Sequence, residues 1–263
     1  MNELLASRYS EVVHRLAAGI EPIDAIRGGR AGAGVRVSLE YPRALAGARP
    51  LAHAGGRWSI RYVPGLPDHV DVLIEDPARR FVPRRLRLPI VDEATVRARD
   101  TAGDVIPASQ RTWRPALFPG AAYRVAASAT GIRGRAHQLG VPARWARVEA
   151  SVGGEVLWRA HGDDRGEFLL VIGPDPHAAA ELPEVLTITL AVFAAPPAAV
   201  PPAASTDDPL WDLPLQTVMP PGPDDSASSG VTLPPGFDAA TFSGDVNLVP
   251  GRITTGIAPF DLV

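Results

Sequence analysis

The sequence predicts a mainly β protein built from two tandem small sandwiches, preceded by a short amphipathic helix and followed by an extended proline-rich arm. Short runs that alternate apolar and polar residues recur at GVRVSLEY, GGRWSIRYV, WARVEASV and GEFLLVI, the period expected of half-buried strands. Twenty-eight prolines and 25 glycines punctuate the chain, too many for long helices. From Pro196 onward the composition shifts to small residues, proline and aspartate, which favours extended backbone.

The first element is the helix, assigned to residues 1–22. Leu5, Tyr9, Val12 and Leu16 recur at helical spacing until Gly19 and Pro22 stop the pattern, giving about four turns. Its stripe packs either on its own domain or on a neighbouring subunit. Glu3, Arg8, Glu11 and His14 interrupt any apolar run, so neither a signal-peptide core nor a spanning helix is expected. A cytoplasmic location is therefore expected.

Residues 23–90 form the first expected sandwich, with Val35, Val37, Leu39, Trp58, Ile60, Tyr62, Val70, Val72, Ile74, Phe81, Leu86 and Leu88 facing inward. Residues 91–114 are polar and are taken as a connector. Residues 115–195 form the second, whose inward face is Ile132, Trp145, Val148, Ala150, Val156, Trp158, Phe168, Leu170 and Ile172. The two units have a similar layout: GVRVSLEY then GGRWSIRYV matches WARVEASV then DRGEFLLVI, so the chain looks duplicated.

The arm, residues 196–263, carries eight aspartates against the single Arg252, whereas the remainder of the chain is net positive; the two parts are complementary in sign. It is too apolar for a purely solvated tail. Leu210, Trp211, Leu213, Phe237, Phe242 and Phe260 stand out among its anchors. Burying each gives about 1.5 to 3 kcal/mol against about 1 to 2 kcal/mol per ordered backbone residue. The arm is therefore expected to order by lying on a surface or adding strands to a sheet edge. Trp211, flanked by proline, is the foremost anchor for a partner's pocket.

Several chemistries are excluded or disfavoured. The chain has no cysteine, and its 26 basic residues, all arginine, are scattered without a dense run. No disulfide, thiolate site or nucleic-acid surface is expected. The six histidines lack ligand spacing. Asp163, Asp164 and Glu167 lie in GDDRGE, where Asp163 and Gly166 are better explained as shaping a hairpin than as binding a cation. The glycine-rich run RGGRAGAG at residues 27–34 precedes a strand rather than opening a helix, so it is a turn and not a phosphate cradle. Nucleophile elbows and dinucleotide motifs do not occur. No catalytic residue, metal ligand, cofactor or small-molecule ligand is assigned.

Residues 130–172, with Gly134, an A-x-V strand at 146–148 and D-x-x-x-F at 164–168, resemble the carboxypeptidase regulatory-like, or prealbumin-like, Ig-like β-sandwich. That resemblance implies a fold and leaves function open. The arrangement as a whole, with LFPGAAYRV before the second unit, is similar to accessory proteins of phage-tail-like contractile injection systems. It implies a non-enzymatic structural subunit at a baseplate or cap, whose partners are other protein subunits held by the terminal arms. Leu5, Tyr9, Val12, Leu16, Leu210, Trp211, Leu213, Phe237, Phe242 and Phe260 are then its docking residues. Cutting after Ala194 is expected to leave both sandwiches folded while abolishing incorporation. The alternative is a carbohydrate- or cell-surface-binding module using Trp145 or Trp158.

Overall fold

The computed structural model describes residues 15–173, 184–197, 208–221, 225–238 and 240–263. The chain enters through β1 (Leu16–Ile20) and β2 (Ile23–Asp24) and continues through β3 (Arg36–Tyr41), β4 (Leu51–His53) and β5 (Arg57–Arg61). Strands β6 (His69–Glu75) and β7 (Arg84–Pro89) precede helix α1 (Glu93–Ala102), which leads through β8 (Thr112–Trp113) to β9 (Ala116–Leu117). The next group is β10 (Thr130–Gln138), β11 (Val141–Pro142), β12 (Arg147–Val152), β13 (Glu155–His161), β14 (Glu167–Ile172) and β15 (Leu186–Ala194). After these come β16 (Leu215–Thr217), the short helix α2 (Ser226–Ser229), β17 (Ala240–Leu248), β18 (Ile253–Thr254) and β19 (Phe260–Leu262).

Two four-stranded sheets, β4-β5-β1-β8 and β16-β7-β6-β3, make the first unit. Alternation in β6 and β7 turns Val70, Val72, Ile74, Leu86 and Leu88 inward, where Ile20 and Ile60 of the opposite sheet meet them. On the outer face Arg87 makes a two-point ion pair with Asp71, both bonds 2.8 Å.

The second unit pairs the sheet β13-β12-β15-β17 with one in which β10 sits between β14 on one side and β18 and β19 on the other. Ile132, Val148, Phe168, Leu170, Ile188, Leu190, Leu248 and Phe260 fill its core. Strand β14 has a second face as well. Its Leu169 and Val171 belong to the first core while Phe168 and Leu170 belong to the second, which is why EFLLVI is an unbroken apolar run rather than an alternating one.

The mainly β class holds, and several sequence expectations need correction. Leu16 is not on a helix: it opens β1, which pairs antiparallel with β5 from Leu16↔Arg61 to Ile20↔Trp58. Burial of Ala17, Ala18 and Ile20 between sheets outweighs the helical spacing upstream. Leu5, Tyr9 and Val12 lie outside the described residues. The connector at 91–114 contains α1, whose start is fixed by the Asp92 carboxylate accepting from the Thr95 amide at 2.9 Å and whose end is the left-handed Gly103. The first unit also extends beyond 23–90, because β1 and β8 belong to one of its sheets.

The described parts of residues 196–263 do not project as an arm. Strand β16 adds in parallel to β7, β17 pairs antiparallel with β15 along its whole length from Leu186↔Leu248 to Ala194↔Ala240, and β18 and β19 both add in parallel to β10. The sheet-edge strands that the arm was expected to find are its own. The matched motifs do occupy matching places. β3 and β5 lie in the two opposed sheets of the first unit, as β12 and β14 do in the second.

Two stability outcomes follow. Leu170→Ala, at a fully buried site, should cost about 2 to 5 kcal/mol in urea unfolding. Truncation after Ala194, which deletes β16 to β19, should not leave two folded units: circular dichroism and amide exchange should show the second unit unfolded, with β10 and β15 unprotected.

Candidate functional site: a strap across the seam

A dense polar arrangement lies where residues 208–221 and 225–238 cross from one unit to the other. Leu213 and Phe237 of this strap pack with Val82 and Trp145 in a small third core between the units. Trp145 was expected in the second sandwich. The structure places it here instead, with its backbone in the left-handed region at φ 60°, a conformation costly for a bulky side chain. Its indole Nε1 donates to Asp212 Oδ1 at 2.7 Å.

Asp212 also accepts from Arg144, Nε to Oδ2 and Nη2 to Oδ1, both at 2.6 Å. This two-point fork is the strong geometry for an arginine–carboxylate pair. The same guanidinium donates to the backbone oxygens of Asp164 and Pro209 at 3.0 and 2.6 Å, and lies 5.5 Å from the Trp145 ring and 5.6 Å from the Trp211 ring. One arginine thus ties the second unit to the strap.

Arg85 does the same from the first unit, donating to the Leu213 oxygen at 2.8 Å. Next, β16 pairs with β7 from Leu215↔Arg85 to Thr217↔Arg87, and Val218 enters the first core. Trp113 Nε1 then holds the Met219 oxygen at 2.9 Å.

Beyond this point the strap covers three basic side chains. Arg84 is 1% exposed, Arg147 5% and His161 1%. Arg84 Nη1 donates to the oxygens of Ala116 and Ser228 at 2.9 and 2.7 Å, and Nη2 to Gln216 Oε1 at 2.9 Å and to the Ala227 oxygen. Arg147 Nη1 donates to the Trp145 oxygen at 2.5 Å, and the guanidinium lies 5.3 Å from the Phe237 ring. His161 stacks on Phe118 with centroids 3.8 Å apart, its Nε2 3.5 Å from the Gly230 oxygen.

Burial lowers the pKa of Arg84 to about 10, with the charge of Asp225 acting in the opposite direction. It lowers that of Arg147 to about 9, with Arg84 adding to the effect. Both stay cationic at neutral pH. For His161, burial first and then Arg147 and Arg84 hold the pKa well below the ordinary histidine value, so its ring is neutral.

This arrangement can position and hold; it has no nucleophile paired with a base. In the GDDRGE turn, Asp163 Oδ1 accepts the amides of Arg165 and Glu167 at 2.9 and 3.0 Å. Burial raises its pKa. Among the described residues no group of three or more histidine or acidic side chains is placed to hold a metal ion.

The docking residues expected from sequence are brought onto the chain's own surfaces. Leu210, Trp211, Leu213 and Phe237 lie on the strap, whereas Phe242 and Phe260 meet in the second core, 5.2 Å apart and edge to face. They anchor this chain to itself because its own sheets offer the unpaired edges. Sequence reasoning missed Arg84, Arg147, His161, Asp212 and Gln216. Only Arg84 left a signal: in RRLRLP it falls in phase with the inward Leu86 and Leu88.

No family model matches this sequence, no curated protein matches it, and no solved structure matches its fold.

Asp212→Ala should release both Arg144 and Trp145. A loss of about 1 to 3 kcal/mol in urea unfolding is expected from two charge-assisted partners left unpaired, with a change in tryptophan emission that Asp208→Ala does not produce.

Proposed function

We propose that this protein is a non-enzymatic structural subunit of a large assembly, with two prealbumin-like sandwiches serving as a rigid spacer. The observation that carries this reading is the strap. Its charged and aromatic groups join two sandwich units into one body, with Asp212 satisfied by Arg144 and Trp145 and the terminal nitrogens of Arg84 satisfied by oxygens. A protein so arranged transmits position between neighbours rather than reacting with a substrate. The similarity to accessory proteins of contractile injection particles points to a baseplate or cap setting, with other protein subunits as partners. No described helix is long and apolar enough to cross a membrane.

A second reading is favoured by one feature. A groove of about 360 Å³ beside the strap is lined by Trp211, Arg144, Pro142 and Pro197, and a half-buried tryptophan beside a guanidinium suits the stacking of a sugar ring. In this form the reading moves to Trp211, because Trp145 and Trp158 are 2% and 9% exposed and have no free face to offer.

Size-exclusion with mass spectrometry of the native material separates the two. The assembly reading expects the 27.8 kDa chain to elute in a much larger complex with defined subunits. Elution as a free monomer, with glycan-array binding lost in Trp211→Ala, would establish the sugar-binding reading instead.

A further inference from the structure

The three basic groups beneath the strap lie on three different strands. Arg84 projects from β7 and Arg147 from β12, and His161 ends β13. The charged groups acting on His161 are Arg147 and Arg84, both of its own sign. What faces it otherwise is the Phe118 ring and, from the strap, the Gly230 oxygen. Asp225, the nearby carboxylate, acts on Arg84 and caps α2 through the Ser228 amide at 3.2 Å.

The lid over this cluster is held mainly by side chains rather than by a sheet ladder: Arg84 donates to the Ser228 and Ala227 oxygens and Gln216 Nε2 to the Thr232 oxygen at 3.3 Å. The lid consists of the one-turn α2, the left-handed Gly230 and Phe237, following a β16 that pairs over three residues. Of the strands beneath, β12 lies between β13 and β15 and β7 is paired with β6, whereas β13, which carries His161, is the edge strand of its sheet. When a third positive charge appears in this site, the element able to yield is the strap, and its departure lets water reach all three cations.

We propose that Arg84, Arg147 and His161 form an acid-sensitive latch, which releases strap residues 225–238 when His161 takes up a proton while the two sandwich units remain folded.

The sign follows from linkage. An exposed histidine titrates near 6.5, whereas the covered ring titrates lower, so the open state binds more protons. Closure is then fully favoured above about pH 6.5 and loses up to tenfold in its equilibrium per pH unit below it, until the closed-state pKa is reached. Arg84 and Arg147 hold their charge throughout this range and do not shape the transition.

Amide exchange of the full chain between pH 7.5 and 5.0, corrected for intrinsic chemistry, tests the latch. Amides of Ser229, Gly230 and Val231 should lose protection by up to about tenfold per unit below pH 6.5, while Val72, Val148 and Leu190 keep theirs. His161→Gln should remove the pH dependence, and Arg147→Met, by removing a charge that holds the covered ring's pKa down, should make the dependence level off at a higher pH and so reduce its total size. Strap protection that is flat with pH, unchanged dependence in His161→Gln, or simultaneous loss in both cores would each overturn the proposal. If His161→Gln does not fold, NMR of the wild-type His161 ring decides. Protonation coincident with strap opening supports the latch, and titration near 6.5 beneath a protected strap refutes it. None of these outcomes depends on whether the protein enters an assembly.

Discussion

A buried guanidinium without a carboxylate at hydrogen-bond distance is the constraint around which the two units are joined. Arg84 at 1% exposure satisfies its terminal nitrogens on oxygens from β9, β16 and α2. Such a charge is tolerable in the interior only when its donors are matched, since an unpaired buried ion costs several kcal/mol. The acceptors come from residues more than 130 positions further along the chain as well as from Ala116 nearby. The cation and the strap therefore support each other: without the strap Arg84 keeps only the Ala116 oxygen, and without Arg84 the Ser228 oxygen loses its guanidinium donor.

Strand β14 imposes a second constraint. Its two faces belong to different cores, so the units share an apolar wall and do not behave as modules on a linker. Together with the Arg144 fork and the Arg85 contacts, this gives the seam both a shared apolar wall and charge-assisted hydrogen bonds.

The alternating segments of the sheets were legible in the sequence because a strand with one buried face writes its period directly into residue type. Val70, Val72 and Ile74 in β6 and Leu86 and Leu88 in β7 are cases in point. The apolar anchors of residues 196–263 were legible too, but not their destination. Spacing reveals that Phe242 and Phe260 need cover, whereas which sheet supplies it depends on pairings such as β10 with β19 that no local pattern encodes. Leu16 was misread because a helical stripe and a short strand share apolar positions over so few residues. The candidate site was almost invisible: Arg147 and His161 look like surface residues, and only the closure of the strap removes them from water.

The parallel additions of β18 and β19 to β10 have a consequence for biosynthesis. Gly131 must wait for Ile253, and Ala136 for Phe260, before their ladder is complete. Chain emerging from the ribosome therefore presents a sheet edge of unpaired backbone groups that only residues more than 120 positions later can close. Long-range parallel contacts of this kind are slow to form and prone to wrong pairing in the interval. Shielding of the nascent β10 edge is thus as much a requirement of this architecture as the packing of its cores.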